Sequence, residues 1–260
     1  MKAIILAAGV GSRFGSYTRG RPKCLLEVGG ISLIERQLSI LRRCGVTDLV
    51  VVRGFAAEEI RLDNVRFYLN KLYDETNMVF SLFCAEPELY GEVLVSYGDI
   101  LFSSQTLAAL LSAPSYDIAV VVDTKWEEYY RERFEDPYSE AESLVFDSEG
   151  HILEIGESRP DPSRVMGQYI GLVRLSAEGS EQFRQIYNLG KNVYSGRVWK
   201  RGRTFEQAYM TDFLQALIDE GIPVRAVPTE HGWLEFDRVS DHEKVEEWLK
   251  EGTLQSFCRL

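Results

Sequence analysis

The sequence is poor in the residues from which metal centres and redox sites are usually built. Its 260 residues hold four cysteines, Cys24, Cys44, Cys84 and Cys258, and three histidines, His151, His231 and His242. No two cysteines stand in CxxC spacing, so neither zinc nor a disulfide framework is expected, and reduced thiols are the default. The histidines lie in polar, surface-like contexts, and no nucleophile–base pair accompanies them. No apolar run approaches the roughly 20 residues of a membrane span. The start, MKAIILAAGVGS, has the lysine and apolar stretch of a secretory leader, but the stretch is short and runs into an arginine-containing loop. It reads as a first strand, and the expected location is cytoplasmic. One further absence is local. Between Ala3 and Leu26 there is no Asp or Glu, although the chain as a whole carries a net charge of −11. That overall acidity speaks against a nucleic-acid polymer as partner.

The acid-free segment is where the chemistry concentrates. A buried-type strand, Ala3–Leu6, passes at once into a loop with glycines at 9, 11 and 15, followed by Arg13, Arg19, Arg21 and Lys23. Glycines let backbone N–H groups approach phosphate oxygens, and arginine or lysine neutralises their charge. A tight turn with solvated cations would explain one glycine pair; strand, glycines and four cations together favour a small polyanion. Neither familiar fingerprint fits. A P-loop needs G-x-x-x-x-G-K-[ST], but Lys23 is followed by Cys24. A dinucleotide turn needs G-x-G-x-x-G, and Gly9, Gly11 and Gly15 miss it by one residue.

The first half alternates strand and helix signals. Ser32-Leu-Ile-Glu35 is a capping box for a helix whose apolar face is Leu33, Ile34, Leu38 and Leu41, with Gly45 as its stop. Strands follow at Asp48–Val52, Val65–Leu69, Glu92–Ser96 and Asp117–Asp123. Helices are expected at Ala56–Leu62, at 77–85 behind Thr76 or Asn77, and at Ser104–Ser112. This pattern predicts an α/β fold, a Rossmann-like, mostly parallel mixed sheet covered by helices on both faces. Ligands of such sheets collect at the carboxyl ends of strands. In the second half, Ser143–Phe146, Ile152–Ile155 and Tyr169–Leu175 read as short strands forming a small antiparallel addition. A helix is expected from Ser176 to Tyr187, then a cationic loop over 188–203, either solvated or a flap over an anionic substrate. Thr204-Phe-Glu-Gln207 reads as a capping box opening a helix that runs to Glu220. Val224–Val227 and Trp233–Asp237 read as strands, and Ser240-Asp-His-Glu243 as the cap of the last helix. No linker interrupts the chain. It reads as one domain over 1–260, with a nucleotide half of about 1–115 and an acceptor and metal half of about 116–260.

Leu6-Ala-Ala-Gly-Val-Gly-Ser-Arg13 and Arg21-Pro-Lys23 resemble the signature of the nucleotidyltransferases that activate sugar phosphates and related acceptors. The resemblance extends over nearly the whole chain. It is closest to the cytidylyltransferases of phosphonate biosynthesis, which accompany phosphoenolpyruvate mutase, with phosphocholine cytidylyltransferases as nearer cousins than the sugar enzymes. Its further blocks include Val52-Arg-Gly54, Thr76-Asn-Met-Val79, Ser96-Tyr-Gly-Asp-Ile100, Gly167-Gln-Tyr-Ile-Gly-Leu172 and Trp233 to Asp237. The resemblance implies transfer of CMP from CTP to a small phosphonate or phosphate acceptor, with Mg²⁺ and release of pyrophosphate. It implies Arg13 on the triphosphate and Lys23 between α-phosphate and acceptor as the catalytic cations. Leu6, Ala7, Ala8, Gly9, Gly11, Ser12, Arg53, Thr76, Asn77, Ser81, Tyr97 and Gly98 would surround the nucleotide, and Asp99 and Asp237 would hold the metal.

For the acceptor, Asp123, Trp126, Glu142, Gln168, Tyr169, Trp233 and Glu235 supply aromatic faces and carboxylates suited to an ammonium group, while core packing of Trp126 and Tyr169 explains the same pattern. Lys125 departs from the phosphonate group, where an asparagine is expected, and matches a lysine by which the sugar enzymes bind the acceptor phosphate. A sugar-1-phosphate nucleotidyltransferase is therefore the nearest rival. A nucleotide-binding regulator without catalysis is the rival of another class. The sequence is compatible with a homodimer but fixes no oligomeric state.

Overall fold

The computed structural model describes residues 1–18 and 20–260; Arg19 and the side chains of Ser12 and Ser16, all part of the cationic loop read above, lie outside the described residues. The chain opens with β1 (Lys2–Ala7), a hairpin β2 (Glu27–Val28) and β3 (Ile31–Ser32), and α1 (Leu33–Arg43). Next come β4 (Asp48–Arg53), β5 (Arg66–Leu69), α2 (Met78–Phe83), β6 (Val93–Tyr97), β7 (Ile100–Phe102) and α3 (Ser104–Ser112). They lead to β8 (Ile118–Asp123), α4 (Trp126–Arg133), β9 (Glu142–Phe146), β10 (Ile152–Ser158), β11 (Gln168–Leu175) and α5 (Ala177–Tyr194). The chain ends with β12 (Val198–Lys200), β13 (Arg203–Thr204), α6 (Met210–Asp219), β14 (Arg225–Thr229), β15 (Trp233–Glu235) and α7 (Val239–Glu251).

Seven strands form the central sheet in the order β14-β8-β11-β6-β1-β4-β5. β1 pairs in parallel with both β4 and β6, and β14 with β8; β11 runs antiparallel to both its neighbours. Strand residues alternate between two cores. Ala3, Ile5 and Ala7 of β1 face the core covered by α1, α3, α4 and α7, whereas Ile4 and Leu6 face that covered by α2, α5 and α6. Burial on both faces is why these strands read as unbroken apolar runs. Among the described residues no helix is long and apolar enough to cross a membrane.

The order reverses on either side of β1, so the loop leaving β1 emerges into the crevice between β4 and β6. Gly98, just past β6, lets the chain close on that point: its N–H donates to the Leu6 carbonyl at 2.8 Å, and a Cβ there would lie 2.6 Å from the same oxygen. Gln37, fully buried on α1, secures the turn from within. Its Nε2 donates to the carbonyls of Tyr97 (2.9 Å) and Ile100 (2.7 Å), and its Oε1 accepts from the Ser96 hydroxyl (3.0 Å).

Several expectations are corrected. Ala56–Leu62 is not a helix but a single 3-10 turn at Ala57–Glu59, because Ala56 takes a left-handed φ of 42°. The 188–203 segment is not a loop: α5 continues to Tyr194, and the rest is the hairpin β12–β13. Gly190 marks a close approach of α5 to Phe205, where a Cβ would fall 2.4 Å from the ring. Thr204 opens no long helix. Glu206 turns back to accept from the Gly196 N–H and the Ser195 hydroxyl, and α6 starts only at Met210, where Asp212 accepts from the Tyr209 N–H. Nor does Ser240 cap α7; the Asp241 carboxylate does, accepting from the N–H groups of Asp237 (2.7 Å) and Arg238 (2.9 Å). The strand β7, which pairs antiparallel with β15, and the helix α4 had no separate signal in the sequence.

Candidate active site

The glycine loop folds onto the rim as a 3-10 segment, Ser12–Thr18, kinked at Gly15. Phe14 is driven into the core and anchors it, and Tyr17 donates or accepts at His242 Nδ1 over 2.8 Å, tying the loop to α7. Gly11, with φ +64°, passes beneath Lys23; a Cβ would sit 3.2 Å from that of the lysine. A second 3-10 turn, opened by Pro22, aims Lys23 inward. Its ammonium donates to Asp99 Oδ2 at 2.7 Å and to Asp237 Oδ1 at 2.9 Å. Asp99 comes from the turn after β6 and Asp237 from the end of β15, so residues 138 positions apart in sequence (237 − 99) converge on one cation. Arg13 adds a bond to Asp237 Oδ1 at 3.1 Å and is otherwise open to solvent, its side chain 58% exposed.

These charges act on one another. Burial lowers the affinity of Lys23 for its proton, but the charges of Asp99 and Asp237 outweigh burial and raise it. Burial likewise pushes Asp237 upward, and Lys23, Glu235 and Arg13 together bring it well below the usual carboxylate range. Glu235 goes the other way, lifted by burial and by the negative charge of Asp237 beside it. The sequence did not reveal the group that holds this cluster in place. Arg133, on the last turn of α4, has a side chain only 2% exposed. It donates to Glu235 Oε2 (2.6 Å) and in bidentate fashion to Asp241 (3.1 and 3.0 Å), with Asp237 Oδ2 at 3.9 Å. Arg133 therefore clamps the segment that carries Asp237.

Beside this centre is a cleft of about 480 Å³ whose lining includes Leu6, Ala8, Gly9, Thr76, Asn77, Ser81, Tyr97 and Asp99. All eight were expected at the site. Tyr73 and Met78 line it as well and were not. Asn77 opens α2 as its N-cap. Asn70, fully buried, gives its Nδ2 protons to the Thr76 and Ser81 hydroxyls at 2.9 and 3.0 Å and so fixes two of the walls. Ala7 and Gly98 lie at the strand ends behind the lining. Arg53 does not reach the cleft. Its guanidinium lies over Phe67, 3.9 Å from the ring centre, and donates to the carbonyls of Ala57 and Ile60, a structural role for the turn after β4.

The acceptor set divides. Tyr169 meets Tyr97 edge to face with ring centres 5.8 Å apart, and Glu142 lies near enough for its charge to act on both phenols. The others are turned elsewhere. Asp123 is fully buried; its oxygens accept from the indole N–H of Trp233 (2.8 Å) and the backbone N–H groups of Lys125 and His231 (2.8 and 2.9 Å). Trp126 and Trp233 are core aromatics, packed on Tyr130 and Tyr138 and on Tyr129 respectively. Gln168 spends its amide on the backbone of Glu142 and Gly167. Glu235 is held by Arg133, and Lys125 is half-exposed beside Glu128. A cage built on Trp126 and Trp233 is therefore corrected to core packing, the alternative that the sequence had left open for Trp126.

Comparison with known proteins agrees with this geometry. Residues 3–179 match the MobA-like NTP transferase domain. The chain is 32% identical to a CTP:phosphoglutamine cytidylyltransferase of Campylobacter jejuni over 94% of its length and 98% of that protein's. It is 31% identical to a CMP-5'-(3-aminopropyl)phosphonate synthase of Streptomyces rubellomurinus over 44% of this chain and 19% of that one. Among solved structures, a CTP:phosphocholine cytidylyltransferase of Streptococcus pneumoniae shares the fold, with a TM-score of 0.69, 23% identity, and coverage of 95% and 98% of the two chains. The matched domain takes in the glycine loop, Lys23 and Asp99, and the relative from Campylobacter aligns over nearly the whole chain: this protein is a nucleotidyltransferase and belongs to the family of MobA-like NTP transferase domains.

Proposed function

We propose that the protein transfers CMP from CTP to the phosphate of a small acceptor and releases pyrophosphate. The observation that carries this reading is the convergence of Asp99 and Asp237 on the ammonium of Lys23 at the mouth of the glycine loop. The acceptor's phosphate is largely ionised at neutral pH. Its oxygen forms a bond to the α-phosphorus of CTP as the bond from that phosphorus to the bridging oxygen breaks, and pyrophosphate leaves with the electron pair. No proton need be removed from the nucleophile, which accounts for a site without a histidine or serine base. The work left to the protein is alignment and charge stabilisation. In this reading the N–H groups of the glycine loop and Arg13 hold the triphosphate, and the cleft over Thr76, Asn77 and Ser81 takes base and ribose. Lys23 leaves its carboxylates to bridge the α-phosphate and the attacking oxygen.

The two carboxylates suit Mg²⁺. Both are hard oxygen donors, and they already meet at one cationic point; a pair of carboxylates completed by phosphates and water is the usual magnesium environment in such sites. No cluster of three or more His, Cys, Asp or Glu side chains occurs among the described residues, in keeping with a site completed by substrate. Asp99 and Asp237 would hold the ion, which when bound supplies charge neutralisation on the phosphates. For the acceptor, phosphoglutamine and compounds like it now stand ahead of a phosphonate such as 2-aminoethylphosphonate. The relative that uses phosphoglutamine aligns over nearly the whole chain, and the phosphonate synthase over less than half.

The test is pyrophosphate release by the purified chain with each of the four nucleoside triphosphates and Mg²⁺, against phosphoglutamine, phosphocholine, 2-aminoethylphosphonate and glucose 1-phosphate. The expected result is CTP-dependent release with phosphoglutamine, lost on chelation. Lys23→Ala should lower kcat by about 100-fold or more. Release that prefers another nucleotide, or that occurs with glucose 1-phosphate alone, overturns the proposal.

A further inference from the structure

Next to the Tyr97–Tyr169 pair stands a set of charges for which the nucleotide has no use. Glu142, half-buried at the start of β9, lies beside the Thr211 hydroxyl, with Arg201, Asp212 and Arg203 close enough to act on it. The Tyr169 hydroxyl is buried and has no hydrogen-bond partner among the described residues. Of the two arginines, Arg201 is fully engaged, donating to Asp212 (2.8 Å), Glu157 (3.1 Å) and the Ile155 carbonyl (2.7 Å). Arg203 is not. Its one hydrogen bond among the described residues is a long contact of 3.3 Å to Asp212, whose oxygens already accept from Arg201 and the Tyr209 N–H. Its guanidinium lies on the face of Tyr209, 4.0 Å from the ring centre, and its side chain is 28% exposed. The segment it belongs to is tied to the nucleotide end of the site, since the Asn77 N–H donates to the Glu206 carbonyl at 3.0 Å.

A guanidinium with unused donors close to a carboxylate and an unpaired phenol selects for a ligand of two charges. A purely cationic group, such as trimethylammonium, would be repelled by Arg203. A purely anionic group would be repelled by Glu142. A carboxylate and an ammonium on one carbon match both, the carboxylate taking the fork of Arg203 and the ammonium facing Glu142 and the Tyr169 hydroxyl.

We propose that Arg203, Glu142 and Tyr169 form the subsite for the far end of the acceptor, and that this end is a free α-amino-acid group. The inference deepens, and rests on, the cytidylyltransferase reading above. It makes Arg203 a specificity-determining residue carried by the β12–β13 hairpin, and it distinguishes this site from one for choline-type acceptors.

The experiment measures pyrophosphate release with CTP against two matched pairs: phosphoglutamine and its analogue with hydrogen in place of the α-carboxylate, and O-phosphoserine and phosphoethanolamine, which differ in the same way. The wild-type enzyme should favour the carboxylate-bearing member of a pair by about 10- to 100-fold in kcat/KM, the range expected when a charge-assisted bidentate contact is lost. Arg203→Met should remove that preference by raising KM for the carboxylate-bearing acceptor only. Arg203→Lys should fall between, and KM for CTP should be unchanged in both variants. Three outcomes overturn the subsite while leaving cytidylyl transfer intact: no preference within either pair, a preference that survives in Arg203→Met, or a loss in both variants that extends equally to KM for CTP, the mark of a merely structural arginine. A wild-type enzyme that releases pyrophosphate from CTP with no acceptor overturns the cytidylyltransferase reading itself, and the subsite with it.

Discussion

Arg133→Met tests whether one buried cation holds the catalytic carboxylates in register. Methionine keeps the side chain's length and its contact with Tyr129, Tyr130 and Phe134, over which the guanidinium now lies, so what is lost is charge and hydrogen bonding. Three donated bonds disappear, two to Asp241, whose side chain is only 1% exposed, and one to Glu235. Asp237 loses its nearby positive charge at 3.9 Å as well. Removing one partner from a buried ion pair costs roughly 3–5 kcal/mol because the remaining charge is left uncompensated. For a chain of this size each kcal/mol lowers Tm by about 2–4 °C, so the expected fall is roughly 6–20 °C. Scanning calorimetry and urea unfolding would measure it. The reasoning also fixes the sign of a second change. Asp241→Asn in the Arg133→Met background removes the stranded charge, while the amide oxygen can still accept from the N–H groups of Asp237 and Arg238; it should restore at least half the loss. A fall of less than about 1 kcal/mol, or a double variant no more stable than Arg133→Met, would refute the argument that the clamp is electrostatic.

Gln37→Leu should destabilise the chain by about 2–4 kcal/mol in urea unfolding, because it leaves the carbonyls of Tyr97 and Ile100 and the Ser96 hydroxyl without their buried partner; it should also weaken activity, since Asp99 rides on that turn. Gly11→Ala forces a side chain into a left-handed conformation at about 1–2 kcal/mol and presses on Lys23, so kcat should fall while KM for the acceptor changes little in steady-state assays. Hydrogen bonds from Arg66, then Lys2 and Tyr68, hold Glu88 down to about 2 against the opposing effect of burial. A displacement from 4.5 to about 2 corresponds to roughly 3 kcal/mol, which the solvent exposure of Arg66 reduces to about 1–2. Because the folded-state value is depressed, this stability is present above about pH 4.5 and is lost as pH falls towards 2. Glu88→Gln should therefore be less stable at pH 7, with a flatter pH dependence below 4.5 in thermal unfolding.

Much of the frame was legible because a strand buried on both faces leaves no room for ambiguity. Ala3–Leu6, Asp48–Val52 and Asp117–Asp123 each fall within two residues of a strand of the central sheet. The capping box at Ser32 also forms, with both of its hydrogen bonds in place. The same kind of pattern at Thr204 does not, since the glutamate in the box finds the Gly196 N–H and the Ser195 hydroxyl across the hairpin instead. A capping box states only that local bonds are available. Whether they form depends on what the rest of the chain offers the same oxygens, and sequence spacing carries no information about that competition.

The site divides along the same line. The glycine loop, Lys23, Asp99 and the 76–81 wall could be read because their partners are phosphates, a nucleoside or backbone close in sequence. Asp123 misled for the opposite reason. An acid at a strand end followed by a tryptophan looks like half of an ammonium cage, but its oxygens are taken by the Trp233 indole, 110 residues away. Gln37, Asn70, Arg133 and Asp241 are the counterparts of that error. Each is a polar residue of low exposure whose partners lie on other elements or beyond a turn, and each carried a signal the composition did not weigh. Gln37 interrupts the apolar face of α1 between Ile34 and Leu41, and Arg133 follows two tyrosines that are buried with it. A polar side chain on the buried face of a helix must be paired. Asking what it pairs with leads from Gln37 to the Asp99 turn and from Arg133 to the Asp237 strand. The two carboxylates at the centre of the site are thus positioned by groups that never touch the cleft.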